Sequence, residues 1–385
     1  MAIRRRQVLR TGFFAAVGGA ALAACGGTGD KGGRPSQAAG SAGAAGVSEE
    51  TPGWRMPEES EPHERTFMAW PAIRSIHGAD FDGVRDDIAR IARTIAEFEP
   101  VTLLANERDV RSAQKACGKD VELMPAPVDD LWMRDTGPSF VLGPDGIAGI
   151  DLNFNGWGDK QTHRRDAHVA RTILDRERIK RIKAPVTGEG GGLEVDGAGT
   201  LLATESCWVN ANRNPGKSRD DIEDALKALY GVTKVIWVKG IKGEDITDYH
   251  IDALARFSEP GVVVIGKPAD SAPRDVWRRA YDQARAVLED AVDARGKRLE
   301  IVDLQEPDDL RGHSDEFLAS YVNYYVVNDG VIAPRFGDRR ADRNAAAVLR
   351  DLYPDREVVQ VPVDYLGEGG GGIHCSTQQQ PKVGR

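Results

Sequence analysis

Near residue 370 the chain reads Gly367-Glu368-Gly369-Gly370-Gly371-Gly372-Ile373-His374-Cys375, and three glutamines follow at 378–380. Glycine permits backbone conformations with positive φ and lets a ligand approach the main chain closely. A cysteine on such a loop can meet a substrate, so we interpret Cys375 as a nucleophile and expect the glycines to make room for that substrate. The alternative is a buried structural cysteine, which behaves as a small hydrophobic residue.

The glycine signal occurs twice in the chain, which indicates an internal repeat. Pro362-Val363 precedes the glycine run at 367–372, and Pro185-Val186 precedes Gly188-Glu189-Gly190-Gly191-Gly192. In the same way, His250-Ile251-Asp252 recurs 63 residues later as His313-Ser314-Asp315. A period of this size is typical of repeated supersecondary units.

Turn signals between short hydrophobic segments recur at a similar spacing, with last glycines 53, 62 and 69 residues apart. Each signal is expected to join two strands. The turns are Gly143-Pro144-Asp145-Gly146, Asp196-Gly197-Ala198-Gly199, Glu259-Pro260-Gly261 and Asn328-Asp329-Gly330.

Helical periodicity separates the predicted strand pairs. The predicted helices are Phe81–Phe98, Thr162–Ile179, Ser218–Tyr230, Ala272–Val292 and Arg339–Leu352. Ser218 followed by Asp221 predicts a capping box with Asp in place of Glu.

Residues 51–385 therefore divide into about five strand–strand–helix modules and are predicted to form a single catalytic domain. Five such modules around an axis make a pseudo-symmetric, five-bladed α/β propeller, in which each module brings one polar loop to a shared centre. The competing interpretation is an irregular α/β sandwich.

Composition narrows the class of partner. The 385 residues are 41% hydrophobic and 29% charged, with a net charge of −9, which does not suit a nucleic-acid partner and tolerates a cationic substrate. The four cysteines show no CxxC spacing, so a zinc site or a redox dithiol has little support. Whether Cys117 and Cys207 pair is left open.

The first 25 residues resemble a bacterial export signal. Arg4-Arg5-Arg6 gives a basic start with a twin-arginine pattern, and a short apolar stretch follows from Thr11 to Ala24. It ends in Leu22-Ala23-Ala24-Cys25, which resembles a lipobox and predicts cleavage before Cys25 and lipidation of its thiol. The alternative is an ordinary signal peptide with an incidental cysteine.

Residues 26–50 are rich in Gly, Ser and Ala and are predicted to be a flexible tether. The expected location is therefore the outer face of the bacterial cell membrane, through a lipid anchor at Cys25, or the periplasm or extracellular space.

Five polar loops could meet at the centre of the predicted propeller. They are residues 129–138, which a solvated turn would also explain, residues 153–159, the loop of Glu189, residues 245–252, and the loop of Cys375. A thiolate needs a positive neighbour or a base, and His250 can supply either and later protonate a leaving group.

The carboxylates of these loops would repel one another in a buried centre unless a cation joins them. Cysteine, one histidine and hard carboxylates make a mixed ligand set for a metal. A guanidinium fits better, because carboxylates bind its edges in fork geometry and tryptophan stacks on its face. Its central carbon then lies open to a thiolate.

Six motifs, in order, resemble the agmatine deiminase and bacterial peptidylarginine deiminase family, guanidine-modifying enzymes of pentein fold. They are residues 63–71, 132–138, 189–192, 328–334, 336–338 and 370–375, and the likeness covers essentially all of residues 51–385. The resemblance implies the same five-bladed α/β propeller that the repeats predict.

The resemblance also implies roles for individual residues. It implies Cys375 as the nucleophile that forms a covalent amidino-thioether, and His250 as the general acid and base. Asp135 and Asp252 would hold the guanidinium nitrogens. Glu189 would be a further acid near the substrate, and Trp132 would line the pocket. The family needs no metal or organic cofactor and often forms homodimers.

The chain departs from the family pattern at Asp248-Tyr249, where the family usually has Asn-Gly, and at Ala253, where it has Asn. Asp248 and Tyr249 are expected to narrow the pocket or contact the far end of the substrate, with Asp245 and Asp159 as further candidates for that contact. Two neighbouring histidines are left out of the predicted catalytic set: His313 as a repeat echo, and His374 because it would point away from an extended segment.

Three functions remain open. The first is an agmatine deiminase that makes N-carbamoylputrescine and ammonia, a step toward putrescine in polyamine biosynthesis. The second is a secreted peptidylarginine deiminase that makes citrulline. The third is a non-catalytic lipoprotein that binds amines or arginine. An amidinotransferase is a weaker option, since it would need room for an amine in place of water.

Overall fold

The computed structural model describes residues 53–308, 310, 312–314 and 317–384. The predicted signal at 1–25, the lipidation at Cys25 and the tether at 26–50 lie outside the described residues, as does Asp315 of the predicted repeat. Residues Thr51–Arg385 group as one compact unit. Within the described ranges, no helix combines the length and apolar character that crossing a membrane requires.

The strands of the described chain are β1 (His63–Ala69), β2 (Val101–Ala105), β3 (Val121–Pro125), β4 (Ser139–Gly143), β5 (Gly146–Asp151), β6 (Lys180–Lys183), β7 (Leu193–Val195), β8 (Thr200–Thr204), β9 (Lys234–Val238), β10 (Ala255–Glu259), β11 (Val262–Lys267), β12 (Glu300–Gln305), β13 (Tyr325–Val327), β14 (Gly330–Arg335), β15 (Glu357–Pro362) and β16 (Gln378–Pro381).

The helices are α1 (Arg74–His77), α2 (Phe81–Ala96), α3 (Val110–Cys117), α4 (Met133–Thr136), α5 (Gly156–Asp159), α6 (Val169–Glu177), α7 (Glu205–Trp208), α8 (Arg219–Tyr230), α9 (Val276–Asp290), α10 (Arg339–Leu352) and α11 (Asp364–Glu368). Short 3₁₀ helices lie at Gly78–Asp80, Asp166–His168, Gly190–Gly192 and Ile251–Ala253.

The strands form five sheets, and four of them share one plan. In β4-β5-β6, β7-β8-β9, β10-β11-β12 and β13-β14-β15, an antiparallel pair is followed by a helix and by a third strand parallel to the second. The four predicted turns join the antiparallel pairs. The predicted α/β fold of five repeated modules is thereby confirmed. These four modules also have a third strand, which the strand–strand–helix prediction lacked, and the helix is the crossover that its parallel pairing requires.

The first sheet, β16-β1-β2-β3, joins distant parts of the chain. Strand β16, made of the three glutamines and Pro381, pairs antiparallel with β1, and β1 pairs parallel with β2. The end of the chain therefore returns to the first sheet through β16, which begins three residues after Cys375.

Most predicted helices form where the periodicity placed them. α10 has the predicted bounds, and Ser218 and Asp221 make the predicted capping box at the start of α8. α6 begins later than predicted, at Val169, because the backbone amide of Arg165 donates to the Asp129 carboxylate and holds the preceding segment in a loop. α9 begins at Val276, capped by the carboxylate of Asp275.

Candidate active site

Cys375 lies on a tight turn between α11 and β16, and its backbone is held on both sides. Its amide donates to Asn323 Oδ1 at 3.3 Å, and its carbonyl accepts from the amide of Arg134 at 3.1 Å. Arg134 is the second residue of α4, so the turn is fixed against the helix that carries Asp135.

The glycines before Cys375 make room for two protein side chains. A Cβ atom on Gly371 would lie within 3.0 Å of the ring of Trp132, and one on Gly372 would lie 2.5 Å from Asn323 Oδ1. The expectation that these glycines leave room for the substrate itself was therefore wrong at these two positions. Trp132 packs beside the turn of Cys375. That it lines a substrate pocket stays a prediction.

Two groups contact the thiol of Cys375. Asn323 Nδ2 lies 3.2 Å from the sulfur atom, and Asp252 Oδ2 lies 3.5 Å from it. The other carboxylate oxygen of Asp252, Oδ1, is buried and has no hydrogen-bond partner among the described residues. A buried charged oxygen without a partner is costly, so it is expected to receive a donor from a ligand.

Asp135, His250 and Asp252 converge on the backbone of Gly191. A Cβ atom at Gly191 would lie 2.6 Å from His250 Nδ1, 2.9 Å from Asp135 Oδ1 and 3.1 Å from Asp252 Oδ2. Asp135 is oriented by two donors, the amide of Gly191 at 3.0 Å and the indole N–H of Trp157 at 2.9 Å. The structure thus brings together the predicted catalytic residues, whose loops lie far apart in sequence.

Glu189 lies on the other side of the His250 ring from Asp135. Its Oε2 atom is 3.3 Å from His250 Nε2, while His250 Nδ1 is 3.6 Å from Asp135 Oδ1. Both oxygens of Glu189 also accept from Arg213 Nε, at 2.8 and 2.9 Å. Glu189 is therefore in the site, although these contacts link it to His250 and its role toward a substrate stays a prediction.

His374 is part of the site, which corrects the sequence prediction. The segment forms a turn and is not extended, so the imidazole Nδ1 lies 2.8 Å from Asp252 Oδ2. Its Nε2 lies 3.0 Å from Glu59 Oε2, and Glu59 is held by Arg134 and Arg256. His374 thus connects the carboxylate beside the thiol to a buried ionic network.

Burial and the charged groups of the site shift the pKa values of its side chains. Burial, and then the carboxylates of Asp252 and Asp135, raise the pKa of the Cys375 thiol well above its ordinary value. Burial also raises the pKa of Asp135 to about 6, helped by Asp252 and opposed by His250. Burial would lower the pKa of His250, but Asp135 and Glu189 outweigh it and raise that pKa to about 9.

At neutral pH these shifts favour a protonated His250 and a neutral Cys375 thiol. Burial would raise the pKa of Asp252, but the hydrogen bond and charge of His374 outweigh it and hold that pKa below its ordinary value. The carboxylates of Asp252 and Asp135 beside the sulfur atom would favour a cationic ligand there.

The residues proposed for the far end of the substrate have other partners. Asp248 is buried and pairs with Arg213 at 2.7 Å and Lys160 at 2.8 Å. The centroid of the Tyr249 ring lies 5.2 Å from that of Trp277. These contacts do not support a pocket role for Asp248 or Tyr249.

The remaining predicted candidates fill structural positions. Asp245 accepts from backbone amides of its own turn, Asp159 is exposed, and His313 bonds Glu368 at 3.0 Å and stacks on a phenylalanine. Cys117 and Cys207 are both buried free thiols.

The sequence interpretation missed three residues of this site: Asn323, Arg213 and Glu59. Arg213 had a usable signal, because Asn210-Ala211-Asn212-Arg213-Asn214-Pro215 is a polar cluster placed before a capped helix. Asn323 is a single amide within an aromatic run, and Glu59 lies in an irregular segment before β1, so neither carried a pattern.

Comparison with known proteins identifies the family of this chain. The model of the Porphyromonas-type peptidyl-arginine deiminase family matches residues 55–381. A protein of Streptomyces coelicolor is 40% identical over 340 residues, covering 86% of this chain and 99% of its own length. An agmatine deiminase of Pseudomonas aeruginosa is 37% identical over 355 residues, covering 86% of this chain and 96% of that protein.

A solved structure of agmatine deiminase from Enterococcus faecalis superposes with a TM-score of 0.81 at 30% identity. It covers 88% of this chain and 99% of that chain. With the family model, the relatives and the converging residues in agreement, the chain belongs to the family of Porphyromonas-type peptidyl-arginine deiminases and agmatine deiminases, of pentein fold.

Proposed function

We propose that this protein is a guanidine deiminase, a hydrolase of C–N bonds in linear amidines, that converts agmatine and water to N-carbamoylputrescine and ammonia. The observation that carries the proposal is the unpartnered Oδ1 of Asp252 beside the thiol of Cys375. Asp135, which converges on Gly191 together with Asp252, gives a second carboxylate for the N–H groups of a guanidinium. Relatives named agmatine deiminase support the choice of substrate.

The guanidinium itself activates the nucleophile in this scheme. Its charge offsets the carboxylates that raise the pKa of Cys375, so the thiol gives up its proton to solvent as the cation enters. His250, already protonated, keeps its proton for the leaving group. The thiolate then adds to the guanidinium carbon and forms a tetrahedral adduct.

The adduct collapses when one C–N bond breaks and ammonia leaves with the proton of His250. An amidino-thioether remains on Cys375. His250, now neutral, takes a proton from water as that water adds to the same carbon. The C–S bond then breaks as the hydroxyl proton of this second adduct passes to solvent, which returns the thiolate and releases the neutral ureido product. The thiolate takes a proton from solvent once the cation has gone, so the cycle closes on the neutral thiol.

A second candidate is peptidylarginine deimination, which gives peptidyl-citrulline. The specific observation in its favour is the peptidyl-arginine deiminase family whose model matches residues 55–381. The predicted export of the protein adds to it, because a surface enzyme would meet peptides. The chemistry at Cys375 is the same for both substrates.

Ammonia release tests the proposal when it is measured in parallel on agmatine, free arginine and a peptide that contains arginine. We expect the highest kcat/KM with agmatine, and the peptide would lead if the second candidate is correct. Cys375→Ala should abolish ammonia release from every substrate, and intact-mass spectrometry of the wild type, quenched in acid during turnover of agmatine, should detect the amidino-thioether on Cys375. Tight binding of agmatine without ammonia release by the wild type would point to a non-catalytic binding lipoprotein.

We also propose that the protein is exported, anchored to the membrane by a lipid on Cys25, and a homodimer. The basic start, the apolar stretch and the lipobox of the sequence support export and lipidation. Labelling with a fatty-acid probe in cells that express the wild type or Cys25→Ser tests the anchor, and size-exclusion chromatography with light scattering tests the dimer.

A further inference from the structure

Arg213 is a fully enclosed charged side chain in the second layer of residues around His250. Its side chain is 0% exposed, and each guanidinium nitrogen donates to an acceptor. Nε reaches both oxygens of Glu189, Nη1 reaches Asp248 Oδ2 at 2.7 Å and Asn212 Oδ1 at 3.0 Å, and Nη2 reaches the carbonyl of Thr247 at 2.8 Å. Such a planar, fully bonded guanidinium holds its neighbours in one arrangement.

A chain of alternating charges runs through this arginine. Lys160, 30% exposed, lies 2.8 Å from Asp248 Oδ2, and Arg213 links Asp248 to Glu189. Glu189 in turn contacts His250 Nε2 at 3.3 Å. Each buried charge therefore has an opposite charge on both sides, which is the condition for keeping it ionised away from water.

The loops of Lys160 and Arg213 are also connected to Asp135, on the Nδ1 side of His250. Trp157, three residues before Lys160, donates to Asp135 Oδ2, and Asn155 of this loop donates to the carbonyl of Asn212. The loop that orients Asp135 and the loop that carries Arg213 are thus bonded to each other. A change at Arg213 can be felt at His250 without any contact between Arg213 and a reacting atom.

We propose that Arg213 is a positioning residue that keeps Glu189 ionised, so that Glu189 holds His250 protonated with Nδ1 turned toward the reacting carbon. The inference deepens the proposed deiminase function and rests on it. The proton held on His250 is the one that the departing ammonia needs.

The physical reason is the burial of Glu189, which is 1% exposed. The charged and titratable groups that face Glu189 are Arg213, His250, Asp135 and the thiol of Cys207. Those that face His250 are Asp135, Glu189 and Asp252. Arginine cannot release its proton, so it stabilises the carboxylate at every pH of interest. Without it, burial favours a shared proton between Glu189 and His250, and the imidazolium is lost.

The test compares the pH dependence of agmatine turnover in the full-length wild type, Arg213→Met and Arg213→Lys. We expect the alkaline limb of kcat/KM in Arg213→Met to move to lower pH by about one unit or more, with kcat reduced more than the affinity for substrate. Arg213→Lys keeps the charge and should restore the limb at least halfway. Arg219→Met, a matched change at an arginine that is 51% exposed on α8, should leave the profile unchanged.

A second pair of variants separates this role from simple folding. Glu189→Gln mimics the protonated acid and should shift the limb as Arg213→Met does, and the double variant should shift it no further, because both changes remove the same charge. Additive shifts, or an unchanged limb in a folded Arg213→Met protein, would overturn the inference.

Titration of the His250 ring by NMR gives a readout that does not need turnover. The histidine pKa should fall in Arg213→Met relative to the wild type. If the wild type releases no ammonia but this titration shifts, the proposed function fails and the role of Arg213 stands. If the wild type is active and the titration does not move, the role of Arg213 fails alone.

Discussion

The sharpest prediction concerns Gly191→Ala, which adds one methyl group at the point where the predicted catalytic side chains meet. The backbone at Gly191 does not have positive φ, so alanine is compatible with it. The added Cβ, however, would lie 2.6 Å from His250 Nδ1 and 2.9 Å from Asp135 Oδ1. The substitution is therefore a local wedge between the acid–base residue and the carboxylate.

The size of the effect follows from these distances. Ordinary contacts of a Cβ atom begin at 3.4 Å, so His250 Nδ1 must retreat by about 0.8 Å and Asp135 Oδ1 by about 0.5 Å. A misplacement of about 1 Å in a catalytic group costs roughly 100-fold in rate. We expect kcat for agmatine to fall about 100-fold, and overpacking to lower the free energy of unfolding by about 1–3 kcal/mol.

Steady-state ammonia release and urea denaturation measure the two effects on one preparation. Gly266→Ala is the matched control, because its Cβ would lie 3.4 Å from Ser320 Oγ, an ordinary contact in strand β11. The control should keep kcat within about twofold. A folded Gly191→Ala protein with more than half of the wild-type kcat would show that the convergence of these groups does not limit catalysis.

Three further outcomes are expected. Asp135 must be ionised to bind a cation and His250 must be protonated to release ammonia, so kcat/KM for agmatine should rise through about pH 6 and fall through about pH 9; a profile flat from pH 5 to 10 would contradict these assignments. Asn323→Ala removes the N–H that stabilises the thiolate of Cys375, so iodoacetamide should alkylate Cys375 about tenfold more slowly at pH 8. An equal rate would show that Asn323 does not stabilise the thiolate. Ser218→Ala breaks the capping box of α8 and should lower the free energy of unfolding in urea by about 1 kcal/mol with unchanged kcat, whereas a large loss of kcat would link this helix to the site.

The repeat was readable from sequence because turns and helices leave local signals. Glycine and proline mark the turns between antiparallel strands, and apolar residues at helical spacing mark helices such as α2 and α10. The third strand of each module leaves a weaker signal. Strand β6, for example, reads Lys180-Arg181-Ile182-Lys183, which resembles a charged surface turn until β5 pairs with it.

The predicted catalytic side chains were found for a different reason: each lies in a polar motif between hydrophobic strands, and a family resemblance gives them an order. The residues that contact and orient these side chains lie in no such motif. His374 was set aside on the assumption of an extended segment, but the chain turns at that point and directs the imidazole to Asp252. Direction of a side chain depends on local backbone, which spacing alone does not supply.

The hydrogen bonds that support the site from distant parts of the chain are the feature that the sequence predicts least well. Arg213 reaches Glu189 across 24 residues, and Arg134 reaches Gln379 across 245. Pairs of this kind carry no periodicity, and any buried acid could in principle take any arginine. Asp248 shows the consequence, because its charge suggested a substrate contact while its partner was already present in the chain.

The pairing of β16 with β1 also determines when, during synthesis, the enzyme can become active. Synthesis and folding proceed from the first residues onward, and the earlier modules can form while later ones are still being made. The nucleophile and the strand that seals the first sheet are delivered together, after the acids that receive the cation. A nascent chain can therefore fold most of its modules while it still lacks Cys375. Most of the folding is then complete before the chain can turn over a substrate.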